Sequence, residues 1–243
     1  MTRSSLALLL GSLFALTSSA CAHSDTVPAA SAGTTASAAG VAATTSKAPG
    51  SGMSGLTDSV SAAADRGRIR GSASAPVWLI EVSDFQCPYC KQWHDASFAA
   101  IDSEYVKTGK VRLAYLNFPL SSIHAHARAA SEAAMCASVQ GKFWPLHESL
   151  FTTQERWEEQ ANPIPTFDSL AVAAGVDAAA WRSCMSSHAT AKLIDADLDR
   201  SRSAGVQSTP TFFIGDRKLE GAYPTDSFRV AIDSALAHAS SKR

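Results

Sequence analysis

The chain has 243 residues and a mass of 25.4 kDa, enough for one large domain or two small ones. Its 21 Lys and Arg residues balance 22 Asp and Glu residues, so it lacks the basic excess that is typical of nucleic-acid-binding proteins. Hydrophobic residues make up 46% of the sequence, but Phe14 is the only aromatic residue before position 60. A packed core is therefore expected over about residues 60–243 and not before them.

Residues 1–20 have the pattern of an export signal. Arg3 precedes a short apolar run at 6–16, which small residues follow. This run is too short to span a membrane, so a secretory signal peptide is predicted. Two cleavage patterns compete: small-x-small cleavage after Ala22, or a sequence that resembles a bacterial lipobox, in which Cys21 is lipidated and anchors the protein. Both place the protein in the periplasm or another extracytoplasmic compartment, where disulfides persist.

Residues 21–63 form a segment of low complexity. Of the 36 residues from 22 to 57, 29 are Ala, Ser, Thr, Gly or Pro, and none is aromatic. Such a segment buries too little apolar surface to offset the entropy of folding. We therefore predict a flexible tether between the export signal and a domain at 64–243.

Strand and helix patterns alternate along the domain. Apolar runs rich in β-branched and aromatic residues predict strands at 76–82 and 110–118, with a helix from about 88 to 105 between them. Alanine-rich helical patterns follow, with Asp177 as the predicted N-cap of one helix. A hairpin at 211–220 and a last helix complete the chain. This order predicts an α/β domain with a helical insertion at about 121–204.

Cys87 and Cys90 lie directly after the first predicted strand, at the start of a predicted helix. Unpaired N–H groups and the positive end of the helix dipole stabilise a thiolate at such a position. A low-pKa thiolate is a good leaving group, so a disulfide that contains it oxidises other dithiols. Pro88 suits the first helical turn, where its missing N–H would have no partner. The motif predicts redox catalysis, with a static disulfide or half of a zinc site as the alternatives.

Three segments occur together in a recognisable order. Residues 81–90 (EVSDFQCPYC), 134–151 and 205–215 (GVQSTPTFFIG) resemble, in turn, the active-site region, the inserted helical region and the cis-proline loop of the DsbA-like thiol–disulfide oxidoreductases of the thioredoxin superfamily. The resemblance covers about residues 64–243. It implies a thioredoxin-like fold with an inserted α-helical domain, preceded here by the signal peptide and the disordered tether.

The resemblance also implies roles for individual residues. Cys87 would be the nucleophile and Cys90 the resolving cysteine, with Pro88 and Tyr89 as the dipeptide between them. Thr209 and Pro210 would form a cis peptide bond that packs against the redox pair. Glu81 matches the buried acid that assists proton transfer from the resolving thiol. The alternative for Glu81 is a strand-edge carboxylate that faces water.

Cys136 and Cys184 lie among small residues on predicted helices of the insertion. A tetrathiolate zinc site would require a second close pair of cysteines, but these two are 48 positions apart. Our hypothesis is that a structural disulfide joins them, since free thiols beside a disulfide catalyst would risk exchange. No metal site is predicted.

Four polar residues near the motif have ordinary structural interpretations. Asp84 is interpreted as a turn residue, and His94, one turn after Cys90, as a histidine that faces solvent. His124 and His126 are interpreted as residues at the start of a helix. None of the four is predicted to take part in the chemistry.

The predicted function is the introduction of disulfides into exported proteins through the redox pair Cys87–Cys90. No cofactor is required, but a membrane-bound or soluble redox partner must reoxidise the dithiol. Disulfide reduction or isomerisation is the alternative within the superfamily. Such isomerases usually add an N-terminal dimerisation domain, and residues 21–63 cannot form one, which favours a monomeric oxidase. An alternative from another class is a non-catalytic metal-binding or assembly module.

Overall fold

The computed structural model describes residues 51–241. The predicted export signal at residues 1–20, the predicted lipidation site Cys21 and the first part of the predicted tether lie outside this range. Within residues 51–241, no helix is both long enough and apolar enough to cross a membrane.

A five-stranded mixed sheet forms the centre of the fold. Its strands lie in the order β1-β3-β2-β4-β5, with β2 and β3 parallel and the other neighbouring pairs antiparallel. The strands are β1 (Ile69–Arg70), β2 (Val77–Ser83), β3 (Val111–Asn117), β4 (Thr211–Ile214) and β5 (Arg217–Glu220). The predicted strands at 76–82 and 110–118 are confirmed to within one residue at each end.

A helical crossover joins the two parallel strands, as parallel pairing requires. α2 (Pro88–Trp93) continues through a π-helical turn at His94–Phe98 into α3 (Ala99–Ile101), and a second π-helical turn covers Asp102–Val106. Together with α10 (Thr225–Ser241), this segment packs on one face of the sheet. The core between them contains Val77, Leu79, Trp93, Phe98, Ile101, Val111, Leu113, Phe212, Ile214, Phe228 and Ile232.

Six helices lie between β3 and β4. They are α4 (Ala127–Val139), α5 (Phe143–Thr152), α6 (Gln154–Trp157), α7 (Ile164–Ala173), α8 (Ala178–Ser186) and α9 (Ala191–Ser203). They bury an aromatic core of their own, whose largest members are Phe143, Phe151, Trp157, Phe167 and Trp181. The predicted cap of α8 is confirmed, since the Asp177 carboxylate accepts a hydrogen bond of 2.8 Å from Ala180 N–H.

The helix α1 (Ser51–Gly67) crosses the predicted boundary between tether and domain at residues 63 and 64. Residues 51–63 are therefore helical in the structure, whereas the sequence predicted a flexible tether up to residue 63. Ala64 is buried against α4, and Ser138 Oγ donates a hydrogen bond of 2.5 Å to its carbonyl oxygen. Tertiary packing stabilises a helix whose small residues carry little sequence signal.

Candidate active site

The Cys-x-x-Cys motif connects β2 to α2. Cys87 occupies the N-cap position of α2, and Pro88 is the first residue of the helix. Cys87 N–H donates to Asp84 O at 3.1 Å, and Lys91 N–H donates to Cys87 O at 3.1 Å. These two bonds close the turn and begin the helix. Cys87 and Cys90 are both present as thiols, and both are buried.

The thiol of Cys87 is the more acidic of the two. A hydrogen bond from the Cys90 thiol is the main cause that lowers the pKa of Cys87 to about 6, while burial opposes the shift. The backbone N–H groups of Tyr89 and Cys90 in the first helical turn lower the same pKa. At pH 7 about nine-tenths of a thiol with this pKa is thiolate. Cys87 is thus the member of the pair that is mostly ionised at pH 7.

Cys90 has the opposite character. Its side chain is fully buried, and this burial raises the pKa of its thiol well above the ordinary value. The thiolate of Cys87 raises it further, since two negative charges repel each other. Asp84 N–H points at Cys90 Sγ at 3.5 Å. The first cysteine ionises readily and the second holds its proton.

The loop before β4 lies against Cys87. The Thr209–Pro210 peptide bond is cis, and both residues are buried. Cys87 Sγ lies 3.4 Å from the carbonyl oxygen of Thr209, across 122 positions of sequence. Pro210 O accepts a hydrogen bond of 2.8 Å from Gly221 N–H, which fixes the loop to the end of the hairpin. The structure therefore brings the two predicted parts of the site together.

Pro88 and Tyr89 form the outer surface of the motif. Both side chains are exposed, and the ring of Tyr89 is 62% accessible. An exposed aromatic ring two positions from a reactive sulfur is available to pack against a bound chain.

Glu81 is fully buried on β2, which excludes a carboxylate that faces water. Burial raises its pKa to about 8. Tyr115 is its neighbour across the parallel pair β2–β3, and Ser83 follows two positions later on the same strand. Neither carboxyl oxygen of Glu81 has a hydrogen-bond partner, and the hydroxyls of Ser83 and Tyr115 have none either. Tyr115 and Ser83 link Glu81 to Cys90, because the charges of Glu81 and Cys90 both raise the pKa of Tyr115, and Ser83 lowers the pKa of Cys90.

Asp84 is a turn residue, as predicted, but it also has a partner that the sequence did not suggest. Its Oδ1 accepts a hydrogen bond of 2.8 Å from Gln86 N–H within the turn. Its Oδ2 lies 2.7 Å from Nδ1 of His124. The parallel pairing of β2 and β3 could have signalled this contact, because residues that follow two neighbouring parallel strands meet at one edge of the sheet.

The prediction that His94 faces solvent is wrong. Its side chain is 5% exposed, and its ring stacks against Phe98 and Phe151. His94 Nε2 lies 3.0 Å from the carboxylate of Glu148 on α5. The insertion covers the face of the crossover helix that carries His94, so the histidine is buried where the two layers meet. His126, by contrast, lies at the N-cap of α4, in agreement with its interpretation.

Cys136 on α4 and Cys184 on α8 form a disulfide, with a Cα–Cα distance of 5.8 Å. Thr190 Oγ1 lies near Cys136 Sγ, at 4.0 Å. Among residues 51–241, no three His, Cys, Asp or Glu side chains are grouped so that they could hold a metal ion.

The chain is similar to proteins of two kinds. A thioredoxin family profile matches residues 63–234. The Na(+)/H(+) antiporter NhaA 3 of Salinispora tropica is 33% identical over 175 residues, which cover 72% of this chain and 26% of the antiporter. The probable disulfide bond formation protein D of Bacillus cereus is 26% identical over 168 residues, which cover 68% of this chain and 77% of the relative. The chain thus spans about a quarter of the length of the antiporter relatives.

Solved structures share the fold. BdbD from Bacillus subtilis, in its oxidised form, superposes with a TM-score of 0.64 at 23% identity and covers 71% of this chain and 94% of its own. Wolbachia pipientis alpha-DsbA1 gives 0.64 at 21% identity, over 72% and 93%. These likenesses confirm the predicted thioredoxin-like α/β fold with its helical insertion. The chain therefore belongs to the thioredoxin family, and its fold is that of the DsbA-like members.

Proposed function

We propose that this chain is an extracytoplasmic thiol–disulfide oxidoreductase that introduces disulfides into exported proteins. The observation that carries the proposal is the difference between two neighbouring thiols, a Cys87 whose pKa is lowered to about 6 and a buried Cys90 whose pKa is raised. An acidic Cys87 favours the reduced form of the pair, so the Cys87–Cys90 disulfide is a strong oxidant.

The reaction has two exchange steps. A substrate thiolate attacks Cys87 Sγ of the Cys87–Cys90 disulfide, a bond forms between the substrate and Cys87, and the electron pair of the broken bond goes to Cys90. A second substrate thiolate then attacks the substrate sulfur of this mixed disulfide, and Cys87 leaves as a thiolate. The substrate loses two electrons and gains a disulfide, and the pair Cys87 and Cys90 is reduced.

Glu81 supplies the proton for the first step. Cys90 leaves as a thiolate in a buried environment. Because its pKa is raised, this thiolate takes up a proton. Glu81 has a pKa of about 8, so most of it is protonated at pH 7 and can donate. It recovers its proton from solvent between turnovers. The same carboxylate accepts the Cys90 proton when the dithiol is reoxidised.

The proposed substrates are unfolded or newly exported proteins with cysteines. The backbone of Thr209, which lies against Cys87 Sγ, and the exposed ring of Tyr89 offer a polar and an apolar contact to an extended chain beside Cys87. A membrane-bound or soluble redox partner reoxidises the dithiol, and the protein acts as a monomer. The export signal proposed at residues 1–20 delivers it to the periplasm or an equivalent compartment, with Cys21 as the candidate lipid anchor.

A pair of assays tests this function. The oxidised protein is expected to restore activity to reduced, unfolded ribonuclease in repeated turnovers with a glutathione redox buffer, and Cys87→Ser is expected to lose this activity. Insulin reduction should be weak. A reduction potential near −120 mV supports the oxidase, whereas a value near −270 mV with rapid insulin reduction supports a reductase. Stoichiometric bound metal without turnover would contradict the catalytic role.

A further inference from the structure

Asp84 is a buried carboxylate beside the redox pair. Its side chain is fully inaccessible, and its oxygens accept hydrogen bonds from Gln86 N–H at 2.8 Å and Leu120 N–H at 2.9 Å, while His124 Nδ1 lies 2.7 Å from Oδ2. Two backbone donors suit an ionised carboxylate, which accepts hydrogen bonds and donates none. Asp84 thus places a negative charge in the turn before α2.

This charge is unfavourable for the chemistry of Cys87. Asp84 is joined to the motif through its backbone, since its carbonyl accepts from Cys87 N–H and its own N–H points at Cys90 Sγ. A carboxylate in the same turn as a thiol raises the pKa of the thiol, because two like charges repel in a medium of low polarity. Compensation of the Asp84 charge therefore favours an acidic Cys87.

His124 is the group that compensates it. The histidine follows β3, and its side chain is 15% exposed, so its charge is screened less than that of a surface residue. The hydrogen bond to Asp84 is the main cause that raises the pKa of the imidazole. Burial lowers this pKa, while the charges of Cys87 at the start of α2 and Glu158 after α6 raise it. All three acidic groups that face His124 favour its protonated form.

We propose that His124 is a positioning residue whose positive charge neutralises Asp84 and so allows Cys87 to ionise. This inference rests on the proposed function and names a residue that tunes the same site. Among the described residues, His124 makes no hydrogen bond to either sulfur; its charge acts on Asp84 by contact and on Cys87 through space. The ion pair also holds the loop that follows β3 at the edge of the active site, together with the bond from His126 N–H to Gln86 Oε1 at 2.7 Å.

The test is a titration of the Cys87 thiolate in the reduced full chain by its absorbance near 240 nm. In His124→Gln the uncompensated Asp84 charge should raise the midpoint by about one unit from its value of about 6. In the double variant Asp84→Asn/His124→Gln both charges are absent, and the midpoint should return toward the wild-type value. If the contact were merely structural, the second substitution would perturb the site further and would not return the midpoint toward the wild-type value.

His188→Asn is the matched control. His188 Nδ1 forms the same kind of pair with buried Glu132, at 2.6 Å, within the helical insertion. Asparagine tolerates the positive φ of 50° at this position. Removal of this pair should leave the Cys87 midpoint unchanged. An unchanged midpoint in His124→Gln, or a double variant that titrates like His124→Gln, overturns the proposal.

A second measurement decides the case if His124→Gln does not fold. The imidazole of His124 is titrated by nuclear magnetic resonance in the wild-type reduced protein and in Cys87→Ser. Electrostatic coupling is reciprocal, so loss of the thiolate should lower the pKa of His124. Equal pKa values in the two proteins would refute the coupling. Neither titration requires a substrate, so a failed oxidase assay and a failed titration are separate outcomes.

Discussion

The two cysteine pairs of this protein differ in their chemical state and in their place in the fold. Cys87 and Cys90 are separated by two residues at the N-terminus of a helix, and they are present as thiols of unequal acidity. Cys136 and Cys184 are 48 positions apart, join α4 to α8, and form a disulfide. The first pair has hydrogen bonds that stabilise its thiolate. The second lies within two helices, away from their N-terminal N–H groups.

The position of a cysteine in its helix affects what its disulfide does. A disulfide whose reduced form is stabilised exchanges readily, because its thiolate is a good leaving group. A disulfide that closes a long loop between packed helices restricts the unfolded chain and stabilises the fold. The first pair is therefore expected to control reactivity and the second to control stability.

The largest stability effect is expected for Cys136→Ala/Cys184→Ala. Opening a loop of 48 residues should lower the free energy of unfolding by about 4 kcal/mol in the chain-entropy model. Urea unfolding of the oxidised proteins measures the loss. The thiolate midpoint of Cys87 should not change, and a shifted midpoint would show that the two pairs are not independent.

A somewhat smaller effect is expected for Glu81→Gln. The folded-state pKa of Glu81 is raised from 4.5 to about 8, so its contribution to stability is fully present below pH 4.5 and is lost as the pH rises through about 8. Glutamine resembles the protonated acid and does not titrate. The variant should match wild type near pH 4.5 and be more stable by about 3 kcal/mol at pH 7.

The gain in stability at Glu81 should be accompanied by a loss of reactivity. Glu81→Gln removes the proposed proton acceptor of Cys90, so reoxidation of the dithiol should slow, and more so at high pH. Urea unfolding from pH 4.5 to 8 and stopped-flow reoxidation measure the two effects. A constant difference in stability across this pH range would contradict a buried, titrating Glu81.

The acidity of Cys87 predicts a third, smaller effect with the opposite sign. Its folded-state pKa is lowered from 9 to about 6, so its contribution is fully present above pH 9 and is lost as the pH falls through about 6. Unfolding of the reduced wild type should gain about 2 kcal/mol between pH 6 and 7.5, relative to reduced Cys87→Ser. Parallel pH profiles in the two proteins would refute the low pKa.

The smallest effect is expected at the helix that carries Cys184. Asp177 caps α8 through Ala180 N–H, whereas no side chain caps α2, where Cys87 occupies the N-cap position. Asp177→Ala should cost about 1 kcal/mol of stability, as measured by thermal unfolding. Oxidase activity should be retained. A loss of activity equal to that of Cys87→Ser would contradict the division between the two pairs.

Much of the fold followed from local patterns in the sequence. The apolar run at residues 76–82, rich in β-branched and aromatic residues, predicted β2, and the Asp177 cap predicted the start of α8. The helix α1 was not predicted from the sequence, because burial of Ala64 against α4 stabilises it. The prediction that His94 faces solvent failed for a similar reason: the helix α5, which covers its side chain, comes from a later part of the chain.

By itself the sequence determined the redox motif, its place between a strand and a helix, and the class of fold, because hydrophobic period and helix capping act over a few residues. The tertiary structure decided how far the two thiols differ. Besides the local hydrogen bonds of the motif, that difference depends on groups that folding brings near: the buried surroundings of Cys90, the carbonyl of Thr209 and, in our proposal, His124, which lies 40 positions from its partner Asp84. Burial and charge act through space, so they shift a pKa without regard to distance along the chain.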